Sequence, residues 1–66
     1  MLKMTVVRKD RGITQDGLSN MTRINQAQIS AFENGHVLPS EGWQRRIADA
    51  LGWEREPSEL FQDVQV

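Results

Sequence analysis

Three glycines divide this chain into short helical stretches, and this division constrains the fold more than any other feature. Gly12, Gly35 and Gly52 each follow a stretch in which apolar residues recur at helical spacing. Glycine is the preferred residue where a helix ends in a left-handed conformation. No stretch shows the alternation of apolar and polar residues that is typical of a strand. For a chain of 66 residues, these signals predict a single all-α domain over residues 1–66, compact and built of five short helices.

Capping residues fix the expected helix starts. Thr14, Asn25 and Ser40 each precede an apolar helical pattern and carry a side-chain oxygen that can accept a backbone N–H. Gln28 lies three residues after Asn25 and completes a capping-box pattern. We therefore expect helices over about residues 2–11, 15–21 and 26–34, a fourth between Ser40 and Gly52, and a short fifth helix with Pro57 at its first position.

The apolar positions of these helices predict the core. It is expected to contain Val6, Val7, Met4 or Leu2, Leu18, Met21, Ile29, Phe32, Trp43, Ile47, Leu51, Leu60 and Phe61. Gly17 and Gly42 lie inside predicted helices, where each costs about 1 kcal/mol relative to alanine, and close helix crossings are the usual reason for such glycines.

Composition excludes several classes of protein. The chain has no cysteine and only one histidine, His36, so no disulfide framework, thiolate site or ordinary zinc site is expected. No apolar run is long enough to span a bilayer, and we expect a cytoplasmic protein. No acid–base pair, nucleophile with a base or phosphate-binding glycine loop is evident, so we expect no enzyme, no cofactor and no small-molecule ligand.

The net charge of −1 does not by itself favour nucleic acid, but the charge is unevenly distributed. Residues 1–46 carry seven basic and four acidic side chains, whereas residues 47–66 carry one basic and five acidic ones. Such an asymmetry either arises by chance in a short chain or separates a basic binding face from an acidic surface that points away from it.

The second and third predicted helices are separated by a very short connection. Only Thr22, Arg23 and Ile24 lie between them, with Asn25 as the next cap. Two short helices joined by such a turn form a helix-turn-helix, here over about residues 15–34.

At these residues the chain resembles the phage repressor and Cro family, also called the XRE type. The resemblance begins with the words TQDGLS at residues 14–19 and INQAQIS at 24–30. It continues through FENG at 32–35 and PS at 39–40 to IADALG at 47–52 and ELF at 59–61, and covers about 50 residues. It implies a five-helix, lambda-repressor-like fold and a protein that binds double-stranded DNA, in a bacterium or from a phage in its bacterial host.

The resemblance also implies roles for individual residues. A glutamine such as Gln15 is placed with a helix N-terminus against a phosphate, and Gln26 at the start of the recognition helix can bond adenine N6 and N7. Arg8 and Glu33 match positions that form a structural ion pair. The full set of expected DNA contacts is Gln15, Arg23, Asn25, Gln26, Ala27, Gln28, Ser30, Ala31, Asn34 and His36.

Some positions depart from the family pattern or allow two interpretations. Arg23 stands where the family usually has a left-handed glycine, and Gln44 and Arg45 where it often has leucines. Arg45 and Arg46 form either a solvated face or a contact to the DNA backbone. Trp53 either packs on the fifth helix or contacts a second subunit; likewise His36 is either a loop residue or a phosphate contact.

The functional expectation is a Cro-like repressor that binds a pseudo-palindromic operator as a homodimer, with half-sites about 34 Å apart. A restriction-modification controller remains an open variant of this reading. The alternative of another class is an antitoxin or other helix-turn-helix scaffold that acts mainly by protein–protein binding.

Overall fold

The structure, a computed structural model, describes residues 1–65 and confirms the all-helical fold. It contains four α-helices followed by a single 3-10 turn where a fifth helix was expected. The elements are α1 (Lys3–Asp10), α2 (Gln15–Thr22), α3 (Gln26–Glu33), α4 (Glu41–Leu51) and the 3-10 helix Pro57–Phe61. No helix within residues 1–65 is both long and apolar enough to cross a membrane.

The predicted caps set the helix ends. Thr14 Oγ1 accepts the N–H of Gly17 at 2.9 Å, and Ser40 Oγ accepts that of Trp43 at 3.4 Å. The Asn25 side chain accepts the N–H of Ala27, and not that of Gln28, the partner that the capping-box pattern predicts. The glycines predicted to end helices, Gly12, Gly35 and Gly52, all have positive φ angles of 69° to 76°.

The core lies where α1, α2, α3, α4 and the 3-10 helix meet. Met4, Leu18, Ile29, Ile47 and Leu60 have no exposed surface at all. Each fully buried side chain of this size contributes about 1.5–3 kcal/mol to folding. Phe32 packs edge-on against Trp43, with the ring centroids 6.0 Å apart, and this contact joins α3 to α4.

Met21 was predicted to face the core, and this prediction is wrong. Its side chain is 55% exposed, whereas Leu18 and Thr22, which are four residues apart, face inward. The Thr22 hydroxyl donates to the Leu18 carbonyl at 2.8 Å and accepts the Ile24 N–H at 3.3 Å. Because these bonds allow a polar residue to occupy the inner position, the apolar Met21 lies on the outside of the helix.

Other departures are smaller. Helix α1 begins one residue later and ends one residue earlier than predicted, because Leu2 pairs with Asp63 and Arg11 is the C-cap. A Cβ on Gly42 would meet nothing within 4 Å, so no close helix crossing explains that glycine. Gln44 is buried as a leucine would be, and its amide donates to the Pro39 carbonyl at 2.9 Å.

The two ends of the described chain are joined by a contact that sequence patterns did not predict. The Lys3 N–H donates to the Gln62 carbonyl at 2.9 Å, and the Val64 N–H donates to the Met1 carbonyl at 2.8 Å. The Met1 ammonium group hydrogen-bonds the exposed Asp63 carboxylate and, with its charge, holds the pKa of that carboxyl below its ordinary value. This clasp holds the start of α1 beside the 3-10 helix.

Candidate nucleic-acid interface

The helix predicted to enter DNA, α3, is divided sharply between an exposed first turn and a buried remainder. Asn25, Gln26, Ala27 and Gln28 are four consecutive exposed residues. The next residue, Ile29, is fully buried. Two amide side chains and one methyl group, together with the Asn25 cap, therefore project from the domain at the helix N-terminus.

The end of α3 is fixed by a Schellman motif. The Gly35 N–H donates to the Phe32 carbonyl at 3.1 Å, and the His36 N–H donates to the Ala31 carbonyl at 3.0 Å. Gly35 adopts φ 76°, a region that favours glycine. Phe32, which is 3% exposed, adds an apolar anchor one residue before the helix ends. The helix is thus held at its C-terminal half only, which leaves its first turn uncovered.

A buried polar network ties α3 to α1 and to the start of α2. Arg8 donates from Nε to Glu33 Oε2 at 2.6 Å and from a terminal nitrogen to Glu33 Oε1 at 3.2 Å. A second terminal nitrogen of Arg8 donates to the Ile13 carbonyl at 2.7 Å. The side chains of Arg8 and Glu33 are only 8% and 6% exposed. The two hydrogen bonds from Arg8 to Glu33 hold α1 against α3, as expected for a bidentate arginine–carboxylate pair.

Gln15 joins this network and lies at the first position of α2. Its amide nitrogen donates to Glu33 Oε1 at 2.9 Å. The bond fixes the side chain at the helix N-terminus, where backbone N–H groups and the helix dipole favour an anion. A phosphate at this point would therefore meet the backbone N–H groups of α2 and the remaining hydrogen of the Gln15 amide.

The other predicted contact residues follow the exposed turn along α3 and just beyond its end. Ser30 and Ala31 are half-buried, on the second turn of α3. Asn34 is exposed, and its amide nitrogen lies 3.5 Å from Ser30 Oγ. His36 is exposed just after the helix. These residues extend the polar edge of α3 towards its C-terminus.

Arg23 is separated from this edge. It ends α2 in the left-handed conformation, with φ 60°, and its N–H donates to the Ser19 carbonyl at 2.8 Å. Its exposed side chain lines a groove together with Arg46 and Asp49 of α4. The structure therefore places Arg23 beside α4, away from the Gln15 end of α2.

Trp53 is half-buried and packs against the core. Its indole N–H donates to the Glu56 carbonyl at 3.1 Å, and the Lys3 ammonium lies 5.2 Å from its ring centroid. These contacts support packing at the 3-10 helix. A contact of Trp53 with a second subunit stays a prediction.

The structure adds two residues that the sequence patterns did not predict. Lys9 is exposed at the edge of a hollow of about 350 Å3 that contains the Arg8–Glu33 pair, Gln15 and Asn34. Thr5 borders the same hollow, and its buried hydroxyl has no hydrogen-bond partner within residues 1–65. Neither residue belongs to a recognisable motif. They lie here because Arg8, their neighbour on α1, bonds Glu33 of α3 and the Ile13 carbonyl.

Comparison with known families agrees with this geometry. The family model described as helix-turn-helix domain matches residues 4–61, and the chain belongs to this family. The match is consistent with an XRE-like helix-turn-helix DNA-binding protein. Comparisons with curated proteins and with solved structures returned no match.

Proposed function

We propose that this chain is a sequence-specific transcription regulator, a Cro-like repressor that reads the major groove of double-stranded DNA with α3. The observation that carries the proposal is the run of exposed residues from Asn25 to Gln28 directly before the buried Ile29. In helix-turn-helix proteins, the N-terminal residues of the second helix contact base edges. The exposed turn of α3 is in the corresponding position and carries polar side chains that suit base edges.

The side chains of this turn match the groups that the major groove presents. The amide of Gln26 can donate to adenine N7 and accept from adenine N6, a bidentate pairing that distinguishes adenine from the other bases. The Ala27 methyl group suits a thymine methyl, and Gln28 offers a second amide. The oxygen of Asn25 accepts the Ala27 N–H at 2.8 Å, so its NH2 group is left as a donor.

Contacts to the DNA backbone are proposed around the start of α2. The α2 N-terminus, the Lys9 ammonium and the Asn34 amide border one hollow, and all of them suit a phosphate. His36 extends this edge beyond α3. Of the acidic residues after α4, Asp63 lies near this hollow, because its carboxylate bonds the ammonium group of Met1, which borders the hollow.

The proposed complex is a homodimer on a pseudo-palindromic operator, with half-sites about 34 Å apart. Each copy supplies one α3, and occupancy near a promoter blocks transcription. The small size of the domain supports a dimer, because one copy offers few base contacts. We assign Trp53 no necessary part in this dimer, since its indole is already engaged within the chain. The proposal involves no catalysis and no cofactor.

The test is selection of bound sites from a random double-stranded DNA library, followed by titration of the best site at several salt concentrations. We expect enrichment of a site with two-fold symmetry. Affinity should fall steeply with salt, with a slope of about 0.9 for each phosphate contact on duplex DNA. Lys9→Ala should reduce the slope by about 1, whereas Glu54→Ala, in the exposed loop after α4, should leave it unchanged. Failure to enrich any site would refute the proposal.

A scaffold that binds protein is the second candidate, and one observation favours it. Val37 and Leu38, in the loop after α3, are 54% and 68% exposed. Adjacent exposed apolar residues are frequent at protein interfaces. In that case DNA affinity would be weak and nearly independent of salt, so the same titration separates the two candidates.

A further inference from the structure

A groove of about 430 Å3 lies on the domain between the end of α2 and the second half of α4. Its charged groups are Arg23 at the left-handed turn, and Arg46 and Asp49 on α4. Its apolar wall is the exposed Met21. The complete lining is Met21, Thr22, Arg23, Arg46, Asp49 and Ala50.

Three of the six lining residues, Met21, Arg23 and Arg46, are of types that are common at protein interfaces. Methionine and arginine are enriched at interfaces relative to the rest of the surface, and flexible methionine adapts to a docking partner. Within residues 1–65, neither Arg23 nor Arg46 forms an ion pair. Arg23 also holds a positive φ that costs about 1 kcal/mol for a residue other than glycine. A use for its side chain would offset that cost.

The same chain carries a segment of complementary charge, Glu54-Arg55-Glu56, which we call the acidic segment. All three residues are exposed. The shape of the segment is fixed, because the Glu56 carbonyl accepts the Trp53 indole N–H at 3.1 Å and the Glu59 N–H at 3.0 Å. A segment that is already ordered loses little entropy when it binds.

The groove offers two arginines and one aspartate, and the acidic segment offers two glutamates and one arginine. Arg55 also bonds Glu59 at 3.2 Å, but the pair is exposed and weak, so Arg55 can turn to another carboxylate. Within one molecule the two features lie apart, since Glu56 borders a separate hollow with Glu41, Gln44 and Arg45. The groove therefore cannot be filled by the acidic segment of its own chain.

We propose that the groove binds the acidic segment of a second copy of this chain, and that this contact couples copies bound at adjacent DNA sites. The proposal rests on the proposed function, because DNA brings the copies together. The contact is too small for a stable complex in solution, where specific interfaces bury about 1,200–2,000 Å2. Copies held on one DNA molecule meet at a high effective concentration, and a weak contact is then sufficient.

The contact joins two different surfaces, the groove of one copy and the acidic segment of the next, and it is separate from the contact that forms the proposed dimer. Because facing copies on adjacent two-fold sites are themselves related by a two-fold axis, the contact forms twice, once in each direction. The contact can be tested by exchanging charges between the groove and the acidic segment. Arg46→Glu opposes the acidic segment, and Glu56→Arg opposes the groove, but a mixture of the two variants restores an attractive pair at every junction between unlike copies.

The experiment measures binding to DNA that carries one selected site or two adjacent sites. For the unmodified chain, we expect two-site DNA to be bound about tenfold more tightly per site than one-site DNA. Each variant alone should lose this gain while keeping its one-site affinity within about twofold. The equimolar mixture should recover the gain. Asp10→Lys, a charge change at the exposed end of α1 outside both features, should keep the coupling.

Three results would overturn the proposal. They are equal affinity of the unmodified chain for one-site and two-site DNA, coupling that survives in each single variant, and a mixture that fails to recover the gain. Loss of one-site affinity in both variants would instead place these residues on the DNA and would overturn it as well. If no DNA site is found, the proposed function fails separately. Sedimentation at low salt, at a protein concentration high enough to populate a weak complex, then decides, since association in the mixture but in neither variant alone supports the contact and its absence refutes it.

Discussion

The two halves of α3 share one backbone but have opposite surroundings. Its first turn, which begins after Asn25, is exposed and makes few contacts with the rest of the domain. Its second half holds Ile29, Phe32 and Glu33 against the core and against Arg8. The contrast shows how a domain of this size can keep a fixed fold while the residues proposed to contact DNA remain open to change, because surface substitutions usually alter stability by less than about 0.5 kcal/mol.

The largest effect is expected at the buried ion pair of the second half. Glu33→Ala leaves the Arg8 guanidinium buried without its carboxylate and should lower the free energy of unfolding by about 3–5 kcal/mol. Urea denaturation measures this loss. Glu54→Ala removes the same charge from an exposed loop and should change stability by less than about 0.5 kcal/mol. Equal effects of the two changes would show that the ion pair does not hold α3.

Ile29→Ala tests the apolar anchor of the same half. Removal of a fully buried isoleucine side chain leaves a cavity and should lower stability by about 2–5 kcal/mol. Gln28→Ala, at the adjacent exposed position, is the matched control and should change stability by less than about 0.5 kcal/mol. If the two variants melt at the same temperature, the division of α3 into an anchored and an uncovered half is wrong.

Asn25→Ala should have a smaller effect, at the border between the two regions. Loss of the cap to the Ala27 N–H should lower stability by about 1 kcal/mol. Asn25→Ser retains a capping oxygen and should recover most of that loss. Thermal denaturation of both variants checks this. A stable Asn25→Ala variant would mean that the first turn needs no support of its own.

Local signals were sufficient to predict much of this fold. Thr14 and Ser40 cap the helices that they precede, and Gly35 ends α3 with a positive φ, because caps depend on residues only a few positions apart. The Arg8–Glu33 pair was expected only from the family resemblance, since no spacing rule joins residues 25 positions apart.

Features that depend on long-range packing were not predictable. Met21 fits an apolar helical pattern, and only the hydrogen bonds of Thr22 explain why it faces outward. Lys9 borders the hollow near Gln15 because the preceding residue, Arg8, bonds Glu33 and the Ile13 carbonyl. The pairing of Leu2 with Asp63 joins the two ends of the described chain, and no local pattern indicates it.

The most direct test of the central claim compares the DNA sites selected by the unmodified chain and by Gln26→Ala. The substitution is exposed and favours the helix, so the circular dichroism spectrum and melting temperature should not fall. We expect preference for one base to be lost at one position in each half-site, equivalent to about 1–3 kcal/mol of discrimination, while the other positions are kept. An unchanged selected site would contradict the claim that the first turn of α3 reads DNA through Gln26.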